Sequence, residues 1–129
     1  MTPPTGPVPP VRLQAAWWCE CVVRTDMASD GVTRVRGERA DTSRDALRWM
    51  RIAVRTLLPG FDPVDRDRAF QWLVHGQWEA AVRLGAGERY AFTARSGATV
   101  IEWSARGVLC VPRLDGGSPC AARPVTART

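Results

Sequence analysis

"RYAFTARSGATVIEWSAR", residues 89–106, places two alternating runs on either side of a Ser-Gly pair. Aromatic and β-branched residues recur at every second position, the period of a strand with one buried face, and two residues ending in glycine form a common hairpin turn. With Ser96-Gly97 as the turn, Arg95 pairs with Ala98, and Tyr90 faces Trp103, Phe92 faces Ile101 and Ala94 faces Thr99 on one side. Arg89, Thr93, Val100, Glu102, Ser104 and Arg106 share the other side. A slip by one residue would turn every apolar side chain to the polar face, so the stretch commits the fold to an antiparallel sheet with one apolar face. Gly107 is expected as a bulge before a last apolar run, Val108 to Val111.

Outward from this hairpin, "LQAAWWCECVVR" (13–24) also reads at period two. Leu13, Ala15, Trp17, Cys19, Cys21 and Val23 make a wholly apolar face, and Gln14, Ala16, Trp18, Glu20, Val22 and Arg24 the mixed one. A polar loop, TDMASDG, leads to a weaker strand from Val32 to Glu38, giving a second hairpin. Between the hairpins the spacing becomes helical. Leu47, Met50, Val54 and Leu57 form a stripe over 42–58, with Asp41, Thr42 or Ser43 as N-cap and Pro59-Gly60 as terminator. A second helix opens at "DPVD", where Asp62 caps, Pro63 suits the first turn and Asp65 meets the positive helix end. Phe70, Leu73, Val74, Ala81 and Leu84 are its expected core stripe, and Gly76 is a point where it can divide.

The order β-β-α-α-β-β predicts an α+β fold, an antiparallel sheet of two hairpins with helices packed on one face. Residues 12–111 would form a single domain, 1–11 a disordered Pro-rich arm with PxxP spacing at Pro4, Pro7 and Pro10, and 112–129 a loose tail. No internal repeat is present. The phrases "DALRWMRIAVRTL" (45–57) and "VIEWSARGV" (100–108) resemble those of small uncharacterised actinobacterial proteins, some borne on plasmids and other mobile elements. The resemblance spans most of 12–111, implies an accessory role and brings no site residues with it.

The formal charge is +5, yet all 18 basic residues are Arg, alongside abundant Ala, Gly, Pro and Val. That is the imprint of GC-rich codons, so part of the excess need not reflect an anionic partner. The N-terminus lacks the basic and apolar segments of a secretory signal, and no run approaches a bilayer span, so a cytoplasmic protein with reduced thiols is expected. Cys19, Cys21, Cys110 and Cys120 match a zinc site in number but not in spacing. Cys-x-Cys on a strand is a poor knuckle, and buried thiols are the better reading. His75 stands alone, with Glu79 one turn away and Gly76 between. No nucleophile elbow, P-loop or dinucleotide fingerprint occurs, so neither an enzyme nor a cofactor or metal is expected, and no small-molecule substrate is evident.

One surface stands out. Arg44, Arg48, Arg51 and Arg55 recur at intervals of four, three and four, opposite the apolar stripe of the first helix. Asp41 and Asp45 are available to pair with Arg44 and Arg48, whereas Arg51 and Arg55 have no local acid. Trp18 shares its strand face with polar residues and is expected to be half exposed. Surface aromatic and Arg side chains without a catalytic set point first to a small binding module that acts through a protein partner or as a homodimer. The alternative is a nucleic-acid-binding accessory protein, as in plasmid maintenance or transfer, that holds phosphates on the Arg ridge.

Overall fold

The computed structural model describes residues 12–25, 32–111 and the backbone of 120–122. The expected Pro-rich arm, the loop at 26–31 and most of the expected tail lie outside the described residues. The elements run β1 (Gln14–Thr25), β2 (Val32–Ala40), α1 (Ser43–Leu57), a 3-10 turn (Leu58–Gly60), α2 (Pro63–His75), α3 (Gln77–Gly85), β3 (Tyr90–Ser96), β4 (Thr99–Cys110) and β5 (Cys120–Ala122). The α+β reading holds: one antiparallel sheet of order β2-β1-β4-β3, with β5 also alongside β4.

The two long strands are central. β1 and β4 pair without interruption from Gln14 opposite Cys110 to Thr25 opposite Thr99, so Gly107 is an ordinary ladder residue and not the expected bulge. The bulge lies instead on β2, where the register changes between the partners of Cys21 and Val22 and leaves Val35 as the extra residue. In the β3–β4 hairpin, Ser96 pairs with Thr99, Phe92 with Trp103 and Ala94 with Ile101, two residues from the expected register. The turn is Gly97-Ala98, with Gly97 at φ +61° in the first loop position, where a type II′ turn wants glycine. An error of two preserves the faces, so Tyr90, Phe92, Ala94 and Trp103 still point together into the core.

The helix-side core gathers Cys19 and Cys21 of β1, Met50 and Val54 of α1, Trp72 of α2, Leu84 of α3 and the aromatic residues of β3 and β4. Phe61, Trp103, Phe92, Trp72 and Tyr90 form a chain of ring contacts with centroid separations of 5.6, 6.5, 4.8 and 6.5 Å. Trp72 donates its indole N–H to the Tyr90 hydroxyl at 2.9 Å, so the largest side chain of α2 is buried without an orphan donor. This corrects the expected stripe. α2 and α3 bury Ala69, Trp72, Leu73, Ala80 and Leu84, while Phe70, Val74 and Ala81 face outward. Gly76 divides the two helices as anticipated, and a Cβ there would stand 2.6 Å from the Trp72 ring.

A smaller cluster occupies the other sheet face: Ala16, Val108 and Cys110, with Trp18 packed against them. Cys19 and Cys21 are buried free thiols, as expected. Cys110 is disulfide-bonded, which departs from the expectation of reduced cysteines throughout, and the β4–β5 register places Cys120 directly across from it. Spacing could not reveal this, because the pairing depends on a short strand at the sheet edge.

Candidate functional site

α1 begins where Thr42 accepts the Asp45 backbone N–H on its hydroxyl at 3.0 Å. From that start, burial of Ala46, Met50 and Val54 fixes the rotation of the helix and sends the arginines outward. Arg44, Arg48 and Arg55 are exposed and Arg51 is half-buried. Arg44, Arg48 and Arg51 line one cleft of about 580 Å³ with Asp45, Leu47 and Gln77, whereas Arg55 lies outside it. Among the described residues none of the four arginines has an acidic partner. The pairing open to Asp41 goes elsewhere, to Arg39 at 3.3 Å. The Nε of Arg51 is buried and has no hydrogen-bond partner among the protein atoms. Gln77, on the opposite wall, is held by donating its amide to the Leu73 carbonyl.

Trp18 does not join this cleft. Its ring is half-buried on the opposite face of the sheet, beside Ala16 and Val108 and over Gly37 of β2. The same sheet face carries an ionic cluster in which Glu102 sits between Arg89 at 2.8 Å and Arg24 at 3.7 Å. The Arg ridge and Trp18 thus lie on two separate surfaces, and Trp18 is half exposed as expected.

A third surface went unread. Phe70 and Val74 on α2, then Trp78 and Val82 on α3, follow one another at intervals of four across Gly76. All are exposed, Trp78 to 79 % and the others to about half. The 3.6-residue period does register these positions, but it cannot distinguish an outward apolar row from the buried row one position away. A further apolar groove of about 420 Å³ lies between β2 and α1, lined by Val35, Trp49, Ile52, Ala53 and Leu57 among others.

Metal chemistry has no assembled set among the described residues. No group of three or more His, Cys, Asp or Glu side chains is placed to hold a metal ion. His75 lines an open cleft of about 500 Å³ with Arg68, Gln71, Trp72, Tyr90 and Phe92, while Glu79 pairs with Arg83 at 3.1 Å and not with His75. Burial raises the thiol pKa of Cys19 to about 12, with the Glu38 carboxylate across the strand pair adding to the shift, so Cys19 stays protonated near neutrality. Burial also raises that of Cys21. Among the described residues, no helix is long and apolar enough to cross a membrane. No protein-family model matches the chain, and neither a curated protein nor a solved structure is found similar to it.

Proposed function

We propose that the chain is a small non-enzymatic binding module that acts through protein contact, and that the first such partner is a second copy of itself. The observation that carries this reading is the 79 % exposure of Trp78 within the outward row Phe70, Val74, Trp78 and Val82. Phe70 with Val74 on α2 and Trp78 with Val82 on α3 are each four apart, so each helix offers a short ridge of the kind that interdigitates in the commonest class of helix packing, crossing at about −50°. The four side chains offer roughly 450 Å² of surface, so two copies would bury about 900 Å² before rim contacts, near the lower bound of about 1,000 Å² for a specific interface. Glu79 and Arg83 neutralise each other on the same helix, which limits charge repulsion between copies.

Sedimentation equilibrium of the purified chain tests the reading. A dimer that Trp78→Glu or Phe70→Ser converts to a folded monomer supports it. A wild-type monomer at about 100 μM, a concentration at which even a weak dimer of micromolar Kd would form, overturns self-association. A dimer unaffected by both substitutions moves the contact elsewhere, the apolar groove at β2 and α1 being the next surface to alter. The cytoplasm is the proposed setting. There the Cys110 bond would be open in most molecules, so counting thiols in protein quenched with acid at lysis checks that placement.

A further inference from the structure

We propose that the cleft formed by Arg44, Arg48 and Arg51 of α1 against Gln77 of α3 is a binding site for a small phosphorylated ligand, one that carries a phosphate or diphosphate group. Three guanidinium groups share the cleft with one carboxylate, Asp45, which leaves an excess of two positive charges. A phosphate monoester near neutrality carries about −1.5 to −2, so it balances that excess. The arginines sit at i, i+4 and i+7, so their stems rise from successive turns on one helix side, within about 10 Å along the axis. Planar forks at this spacing can each give two parallel hydrogen bonds to phosphate oxygens.

Arg51 adds the strongest argument. A guanidinium nitrogen shut away from solvent without an acceptor is costly, and its neighbours Arg44 and Arg48 add repulsion that the single carboxylate of Asp45 does not balance. An anion seated between the three arginines removes that repulsion and bonds to the guanidinium N–H groups that face the cleft. At about 580 Å³ the cleft is larger than a phosphate requires, and Leu47 supplies an apolar wall for an organic portion. A nucleic-acid strand would instead need contacts along the whole ridge, about 16 Å from Arg44 to Arg55, and Arg55 stands outside the cleft.

Melting and calorimetric titration of the full chain with inorganic phosphate, inorganic pyrophosphate and a single-stranded oligonucleotide of about 20 nucleotides test the proposal, each against sodium chloride of matched ionic strength. Pyrophosphate is expected to bind at one site per chain and to raise the melting temperature by about 3 °C, inorganic phosphate doing so more weakly. Arg48→Gln with Arg51→Gln should weaken binding at least about tenfold and, without ligand, leave the melting temperature unchanged or higher, because the crowding of like charges in the cleft is reduced. Should that double variant fold poorly, the exposed Arg44→Gln alone must still weaken binding. Equal binding to the variants, or no saturable binding to wild type, overturns the site. Oligonucleotide binding that pyrophosphate does not displace, with affinity falling steeply in salt, overturns it in favour of a nucleic-acid track.

Discussion

The Asp62 carboxylate accepts the backbone N–H of Gly97 at 2.9 Å, tying the start of α2 to the tip of the β3–β4 hairpin. Asp65 does the same for the Arg95 N–H at 2.6 Å, the Asp62 N–H donates to the Arg95 carbonyl at 2.8 Å, and the Ser96 hydroxyl donates to the Gly60 carbonyl at 2.7 Å. Asp62 stands at the N-cap position of α2 but makes no side-chain cap bond. The "DPVD" signal thus marked the helix start correctly and misassigned what the Asp62 carboxylate does, while Asp65 stands in the first turn as expected. Asp62→Ala with Asp65→Ala should cost about 2–3 kcal/mol in urea denaturation, since hydrogen bonds to charged acceptors contribute about 1.5–3 kcal/mol each and these are solvent-accessible. Amide exchange at Arg95 and Gly97 should accelerate more than at Phe92. Equal protection in both proteins would mean the strands alone hold the tip.

Gly97 itself supplies the second expectation. Its φ of +61° is a conformation that disfavours a Cβ, although nothing lies within 4 Å of where one would be. Gly97→Ala should therefore cost about 1–2 kcal/mol through backbone strain alone, and Gly97→Asn less. Gly60, also open around its Cβ position, is the control, and Gly60→Ala should change stability by under about 0.5 kcal/mol.

These two residues show what sequence could and could not convey. Alternation in 89–106 records which side of the strand meets the core, so the partition of Tyr90, Phe92 and Trp103 from Thr93 and Glu102 was legible. Register within that partition depends on which residue accepts positive φ and on bonds from α2, and a shift of two leaves the alternation unchanged. Helix faces failed for a related reason. Phe70 and Trp72 are both large and apolar, and it is Trp72 that faces the core, where Tyr90, a residue 18 positions away, accepts its indole N–H. The Arg row of α1 was legible because Met50 and Val54 fix the buried face, although Ala46 completes that face and the expected Leu57 is 43 % exposed. That Arg55 leaves the cleft, and that α3 closes it, are tertiary facts.

The buried thiols predict how stability depends on pH. In the unfolded chain Cys19 loses its proton near its ordinary value of 9.0, whereas in the fold burial first, and Glu38 second, hold it to about 12. The folded state binds the proton more tightly, so this contribution is complete below pH 9 and is lost as pH rises towards 12. Cys21 contributes in the same direction. Denaturation midpoints should fall between pH 8.5 and 10.5, and Cys19→Ala should flatten that fall while lowering stability at pH 7. Iodoacetamide at pH 8 should label these two thiols only after unfolding.

Trp18 and Gly37 make the last case, across the β1–β2 pair. A Cβ on Gly37 would lie 2.5 Å from Cζ2 of the Trp18 indole, so glycine there is the condition for the ring to lie flat over β2. Gly37→Ala should destabilise by about 1–3 kcal/mol, as overpacking does, because the atom it meets belongs to a ring already wedged beside Ala16 and Val108. Trp18→Ala removes the ring and should itself be costly through lost burial. In the double variant the alanine at 37 meets no ring, so the penalties should fall short of additive by at least about 1 kcal/mol in a double-mutant cycle. Additive losses would show that the indole swings away at little cost, and Trp18 would then be free to serve as an anchor on the open face of the sheet.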